Sequence, residues 1–326
     1  MKNSLLLICL LIVVNSQAQI DFVKHDFLLL SAERQNRQNQ FEEALQLYEQ
    51  AFKINGANSV KEYLDAANCA AKLNKKQTCK KWIEAAIIYQ KAEEKTIASF
   101  HKTKLYIDCA SEILPKYDHL LAQYYNAIEN PLAYFEIQKL LYRDQFSRKL
   151  SEYHLGITEE DQEAAFDGYL QAQADKDSMA LTKYKNILWP VVNKEHKAYE
   201  RQIMRFTDSL NILKLMEITK VHGWQEEALL LLWHQRGSYG EQNWVWNYFK
   251  PLIDKEIAAG KLKQSFWAQF EDISSIYKTG KSLYGYHPGK VDPNTVNEKR
   301  KSIGLPLLTD AEIDHRNNNP YGGRMY

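Results

Sequence analysis

Four residues in the C-terminal half of the chain belong to the types that move protons or hold metals: His222, His234, Asp272 and His287. An imidazole changes charge near neutral pH and a carboxylate can orient it. Such residues could therefore gather as general acid and base, or around a metal ion. Their spacing matches no known device. The sequence has no His-Glu-x-x-His, no two histidines at i and i+4, and no acidic partner at ligand spacing. Read as structure, His222 caps a helix end, His234 completes a polar interaction in a core, and His287 lies in a turn before Pro288-Gly289. No residue is assigned as catalytic, and neither a metal site nor a cofactor is read from the sequence. Walker-A, Gly-x-Ser-x-Gly and strand-linked Gly-x-Gly-x-x-Gly motifs are absent, so ATP hydrolysis, serine hydrolysis and dinucleotide binding lack support.

Near these residues, Trp224, Trp233, Trp244 and Trp246 form a dense aromatic group that could line a groove or pack a core. Two positions apart cannot share one helix face, so one of Trp244 and Trp246 is expected at the surface. The run Tyr284-Gly285-Tyr286-His287-Pro288-Gly289 reads as a turn-rich loop.

The elements that position these groups are helices. Only Gly56, Gly156 and Gly168 precede residue 222, and alternating strand patterns with hairpin signals are absent. An all-α fold is expected. Asn39 with Glu42 looks like a capped helix start, Ala44, Tyr48 and Ala51 recur at helical spacing, and Gly56 closes the helix. Ser59 with Glu62 starts the next helix by the same logic. Further helices are expected around Leu105–Leu114, His119–Ile128 and Leu132–Arg148, the last with Phe135, Leu140 and Leu141 inward. A charged helical stretch follows over 157–187, then a long amphipathic helix from about Asn193 to Val221.

The chain opens with Lys2, an apolar stretch Leu5–Val14 and Ser16-Gln17-Ala18, the layout of an export signal cleaved after Ala18. That stretch is shorter than the ~18 residues a membrane span needs, and no later stretch approaches that length. The expected localisation is therefore periplasmic or extracellular. With 42 Lys+Arg against 41 Asp+Glu, the chain lacks the basic excess that nucleic acid would demand.

The spacing of Ala44, Tyr48 and Ala51 resembles the second helix of a tetratricopeptide repeat. The stretch Ala66–Leu73 running into Cys79–Ala86 resembles a degenerate second copy, with Cys79 in an alanine slot and Trp82-Ile83 in the aromatic slot. In such a repeat Cys69 and Cys79 would lie on helices that pack together, so the resemblance leaves open either a disulfide or two small apolar contacts. Of the cysteines beyond the signal, Cys69, Cys79 and Cys109, at least one must stay unpaired within the chain.

From Leu132 to Leu308 the order of landmarks is similar to a bacterial domain of unknown function that is often found in exported proteins. The matching positions are Asp144-Gln145 with Arg148, Asn211, Gly223-Trp224, His234, Asp272, Tyr284-Gly285, and Arg300 with Gly304-Leu305. Gln225, Trp233, Ile273 and Tyr286-His287 depart from that family's pattern. The resemblance implies a helical fold and an exported address, and no reaction. It makes Trp224, His234, Asp272, Tyr284, Asp144 and Arg148 the candidate binding residues.

The expected organisation is a signal at 1–18, tetratricopeptide-like repeats at 19–130, a helical domain at 131–310 and a flexible tail at 311–326. The expected role is binding of a protein or peptide partner. An envelope enzyme, such as a hydrolase with its site in the C-terminal domain, is the alternative. The enzyme reading requires His222, His234, Asp272 and His287 to converge in one open cleft.

Overall fold

Turns built on asparagine divide the first part of the chain into helical hairpins. The computed structural model describes residues 21–150, 155–188, 190 and 194–318, so the expected export segment lies outside the described residues. Helices α1 (Phe22–Arg37) and α2 (Phe41–Asn55) are joined through Asn39 at φ 61°, and α3 (Val60–Lys72) and α4 (Lys76–Gln90) through Asn74 at φ 58°. Both turns carry the same bonds: Gln40 N–H reaches Gln35 O at 2.9 Å, and Lys75 N–H reaches Ala70 O at 2.8 Å. Asparagine tolerates this left-handed conformation better than other side-chain-bearing residues. The turn therefore claims Asn39, and the expected Asn39 cap is corrected: Gln40 is the N-cap of α2 and makes no side-chain cap bond.

The second capping signal reads as expected. Ser59 and Glu62 form both halves of a capping box on α3, with the Ser59 N–H donating to Glu62 Oε2 at 3.1 Å. Removing the hydroxyl in Ser59→Ala is expected to cost about 1 kcal/mol. The check is a lower urea midpoint with an unchanged m-value.

Packing follows from side-chain size. Ala44, Tyr48 and Ala51 on α2 are buried, as are Ala66, Ala67, Cys69 and Ala70 on α3 and Cys79, Ile83 and Ala86 on α4. Small residues let neighbouring helices approach while Tyr48 fills the remaining space. Gly56 closes α2 at φ 69°, and a Cβ there would sit 3.0 Å from the Tyr63 hydroxyl. Four contacts join residues 33 apart: Cys69 to Asn36, Lys75 to Glu42, Gln90 to Ala57 O, and Cys109 to Lys76 O. Helices α5 (Glu94–Ser99), α6 (Lys104–Ile113) and α7 (Tyr117–Asn126) continue the series, and α4 packs on both α6 and α7.

Cys69, Cys79 and Cys109 are buried free thiols. The Cys69–Cys79 bridge is therefore not formed. The Cys69 thiol donates to Asn36 Oδ1 at 3.5 Å, and Cys79 hydrogen-bonds with Cys109 instead. Burial pushes the Cys69 thiol up to about 12, which leaves it protonated and inert at neutral pH.

Residues 130–249 form a second compact unit. Its helices are α8 (Pro131–Arg148), α9 (Glu159–Asp175), α10 (Ser178–Leu188), α11 (Lys194–His222) and α12 (Leu229–Trp233). Gly223 at φ 74° ends α11 where the sequence places the stop. The inward stripe of α8 is Ala133, Tyr134, Ile137 and Leu140; Phe135, expected inward, is 53% exposed. Both stripes have helical spacing, and only the neighbouring helix decides which is covered.

Helix α13 (Trp244–Ala258) leads out of this unit, with Trp244 48% exposed and Trp246 buried, as the two-residue spacing requires. Then come α14 (Ala268–Thr279), the two-residue strands β1 (Lys281–Ser282) and β2 (Lys290–Val291) paired in parallel, α15 (Val296–Ser302) and α16 (Asp310–Asn318). The described residues are thus all-α apart from that single short pairing.

The sequence boundary at 130 falls where the second unit begins, but residues from Lys250 onward group with the N-terminal helices. Arg34 donates to Glu312 at 2.7 Å and to Leu307 O at 3.2 Å, and Lys263 donates to Asp26 at 2.7 Å. The chain expected to be a flexible tail from 311 is helical as far as Asn318, with Ile313 and Arg316 buried. Local composition predicts polarity there, and packing supplies the order.

Candidate functional site

The inward stripe of α8 continues past Leu140 to Asp144, so helical spacing itself carries a carboxylate into the interior of the second unit. Asp144 is 1% exposed. Helix α11 packs along α8 and presents Asp208 and Asn211, while α12 packs on both and ends at His234, its C-cap.

Asp144 accepts from His234 Nδ1 at 2.9 Å, from Arg148 Nη2 at 3.1 Å and Nε at 3.2 Å, and from Gln145 at 2.8 Å. Arg148 Nη2 also donates to Asp208 Oδ1 at 2.5 Å. Beside this set, Arg143 donates to Asn211 Oδ1 at 2.8 Å, and Asn211 donates to Leu140 O at 3.3 Å, which ties α11 to α8. Burial alone would raise the Asp144 carboxyl, but hydrogen bonds and charge from His234 and Arg148 outweigh it and hold the group below its ordinary value. Asp208 is pushed up by burial and by the Asp144 charge, against the pull of Arg148. A charged Asp144 must accept, so Nδ1 of His234 donates, and in the neutral form of the ring the lone pair falls on Nε2. No described residue hydrogen-bonds to Nε2. The arrangement can therefore orient an imidazole as a proton acceptor or present it to a cation.

Asp272 and Tyr284 form a different structure, within the unit that contains residues 250–318. Asp272 is fully buried and accepts from Ser282 Oγ at 2.5 Å and from the backbone N–H groups of Tyr284 at 2.7 Å, Tyr286 at 2.6 Å and His287 at 3.1 Å. Arg300 closes the same loop from the other side by donating to Tyr284 O and Pro306 O, each at 2.5 Å. The Tyr284 hydroxyl donates to Glu271 at 2.6 Å. Asp272 thus uses both carboxylate oxygens to hold the turn-rich loop.

Trp224 is buried and packs edge-on against Phe249 at 6.2 Å, a core contact. His222 is exposed at the end of α11. Of the six sequence candidates, Asp144, Arg148 and His234 come together. The set His222, His234, Asp272 and His287 does not: His234 is bound to Asp144 in one unit, and Asp272 holds the loop of His287 in the other.

A second feature lies on the N-terminal hairpins. A groove of about 920 Å³ is lined by Phe52, Tyr63, Trp82 and Tyr89, with Glu49, Lys53, Lys81 and Glu84 among its polar residues. Ring centroids stand 4.6 Å apart for Phe52–Tyr63, 4.8 Å for Phe52–Trp82 and 6.2 Å for Tyr63–Tyr89. Lys81 Nζ lies 4.1 Å from the Trp82 ring centroid, and Tyr89 is 64% exposed.

Sequence reading missed Asp208 and this groove. The signals were faint: Asp208 shares a helix face with Asn211, and Trp82 and Tyr89 are two turns apart on one face of α4. Compared with known proteins, the chain matches no family model, no curated sequence and no solved structure.

Proposed function

We propose that this is an exported, soluble protein-interaction protein that binds an extended peptide in the aromatic groove of its N-terminal hairpins. The observation that carries this reading is the groove itself: four aromatic rings in mutual contact, one largely exposed, with charges of both signs along the edge. Aromatic faces bind extended, proline-rich backbone through flat contacts that need no buried polar match. The repeated Asn turns and the recurring 33-residue contacts support a tetratricopeptide-like array, an architecture that commonly offers such grooves. Export rests on the N-terminal signal pattern, and the bacterial domain resemblance on the landmarks from Asp144 to Leu305.

The test is selection of displayed peptides on the full chain, followed by fluorescence anisotropy with the enriched sequence. Tyr89→Ala is expected to weaken binding about tenfold, the loss typical of an exposed aromatic anchor. The groove reading fails if no peptide is enriched, or if Tyr89→Ala and Lys81→Ala both bind like wild type. Export is checked by the mass of protein recovered from the host envelope, which should begin at Gln19.

A further inference from the structure

We propose that Asp144, Asp208 and His234 form a divalent-cation site, suited to zinc, and that Arg148 is the tethered cation that competes for it. One ligand atom from each of the three residues falls within a mutual distance of 4.8 Å. They arrive from three separate elements, α8, α11 and the end of α12, so the cluster is a product of the tertiary fold and not of one charged helix. An imidazole with two carboxylates is a donor set that zinc accepts, and three protein ligands leave a fourth position for water.

The Arg148 guanidinium shows that this point already attracts a cation. It donates to Asp144 and Asp208 together. Two carboxylates against one guanidinium leave one excess negative charge beside a neutral His234 ring, whereas a dication in place of the guanidinium would neutralise the two carboxylates. Arg148 keeps about a fifth of its side chain in solvent, so it has room to withdraw when a metal enters. Arg143 lies close by but is engaged with Asn211, which leaves Arg148 as the competing charge.

Zinc alone, titrated calorimetrically into the full chain, is the probe. Wild type is expected to bind one ion, and zinc should shift the His234 ring nitrogen resonances at that same one-to-one ratio. Arg148→Gln keeps a donor for Asp144 but removes the charge, and should tighten binding at least about tenfold. Arg148→Lys should not. His234→Ala should weaken binding at least about tenfold, and Asp208→Asn should do likewise without a change in helical circular dichroism. The proposal is overturned by absence of binding to both wild type and Arg148→Gln, by equal affinity of those two proteins, or by zinc affinity that survives His234→Ala.

Discussion

Asp272→Ala is expected to lose about 3 kcal/mol of stability or more, because three backbone N–H groups and one hydroxyl lose their shared acceptor at once. The side chain that vanishes is fully buried, so water cannot take its place without opening the loop. Hydrogen exchange gives the residue-level check. The amides of Tyr284, Tyr286 and His287 should exchange on the order of a hundredfold faster, while those of α2 and α3 change no more than the global loss requires. Asp272→Asn should not rescue fully, since an amide turns one acceptor into a donor that faces at least one N–H group in either orientation. Unchanged protection at Tyr284 and Tyr286 would contradict the role assigned to this carboxylate.

The second large effect is expected at Asp144. In Asp144→Ala, Arg148 keeps only Asp208 and His234 loses the group that fixes its tautomer. The cost is about 3 kcal/mol, the low end for breaking a buried ion pair, because Arg148 retains some contact with water. The pH dependence has a definite sign. The folded Asp144 carboxyl is held below its unfolded value, so its stabilisation is complete above the unfolded range near ~4 and is lost as pH falls through the folded value. Asp208 is raised and acts in the opposite direction: its contribution is present below the unfolded value and lost as pH rises through the folded one. The gap in unfolding free energy between wild type and Asp144→Ala should therefore be widest near neutrality and close below about pH 4. A gap that stays constant with pH would show that Asp144 acts through packing alone.

These two carboxylates also mark how far the sequence could be read. Helix spacing placed Asp144 and Arg148 one turn apart on α8, and a helical i, i+4 pair is legible without coordinates. Landmark order brought His234 into the candidate set, but nothing in the intervening residues says that α12 delivers it to Asp144. Asp208 had only the faint signal of sharing a helix face with Asn211, since on α11 it is one polar residue among many. Asp272 was singled out as a carboxylate that could serve acid–base or metal chemistry and as a landmark of the family resemblance, yet its partners proved to be the Ser282 hydroxyl and three backbone amides, which no side-chain pattern records. At the level of elements, Ser59–Glu62 and the stop at Gly223 are local and were readable. The choice of Tyr134 over Phe135 as the inward residue of α8 depends on a neighbouring helix and was not.

The bonds from Asp26 and Arg34 to Lys263, Leu307 and Glu312 mean that the N-terminal helices complete their packing with residues more than 230 positions further along the chain. During synthesis α1 therefore has no partner for one of its faces until some 230 further residues have emerged, roughly 10–45 s at the elongation rates of 5–20 residues per second. The hairpin of α1 and α2 is local and needs no later residue, whereas the contacts of α1 with Lys263, Leu307 and Glu312 form only once those residues have been made.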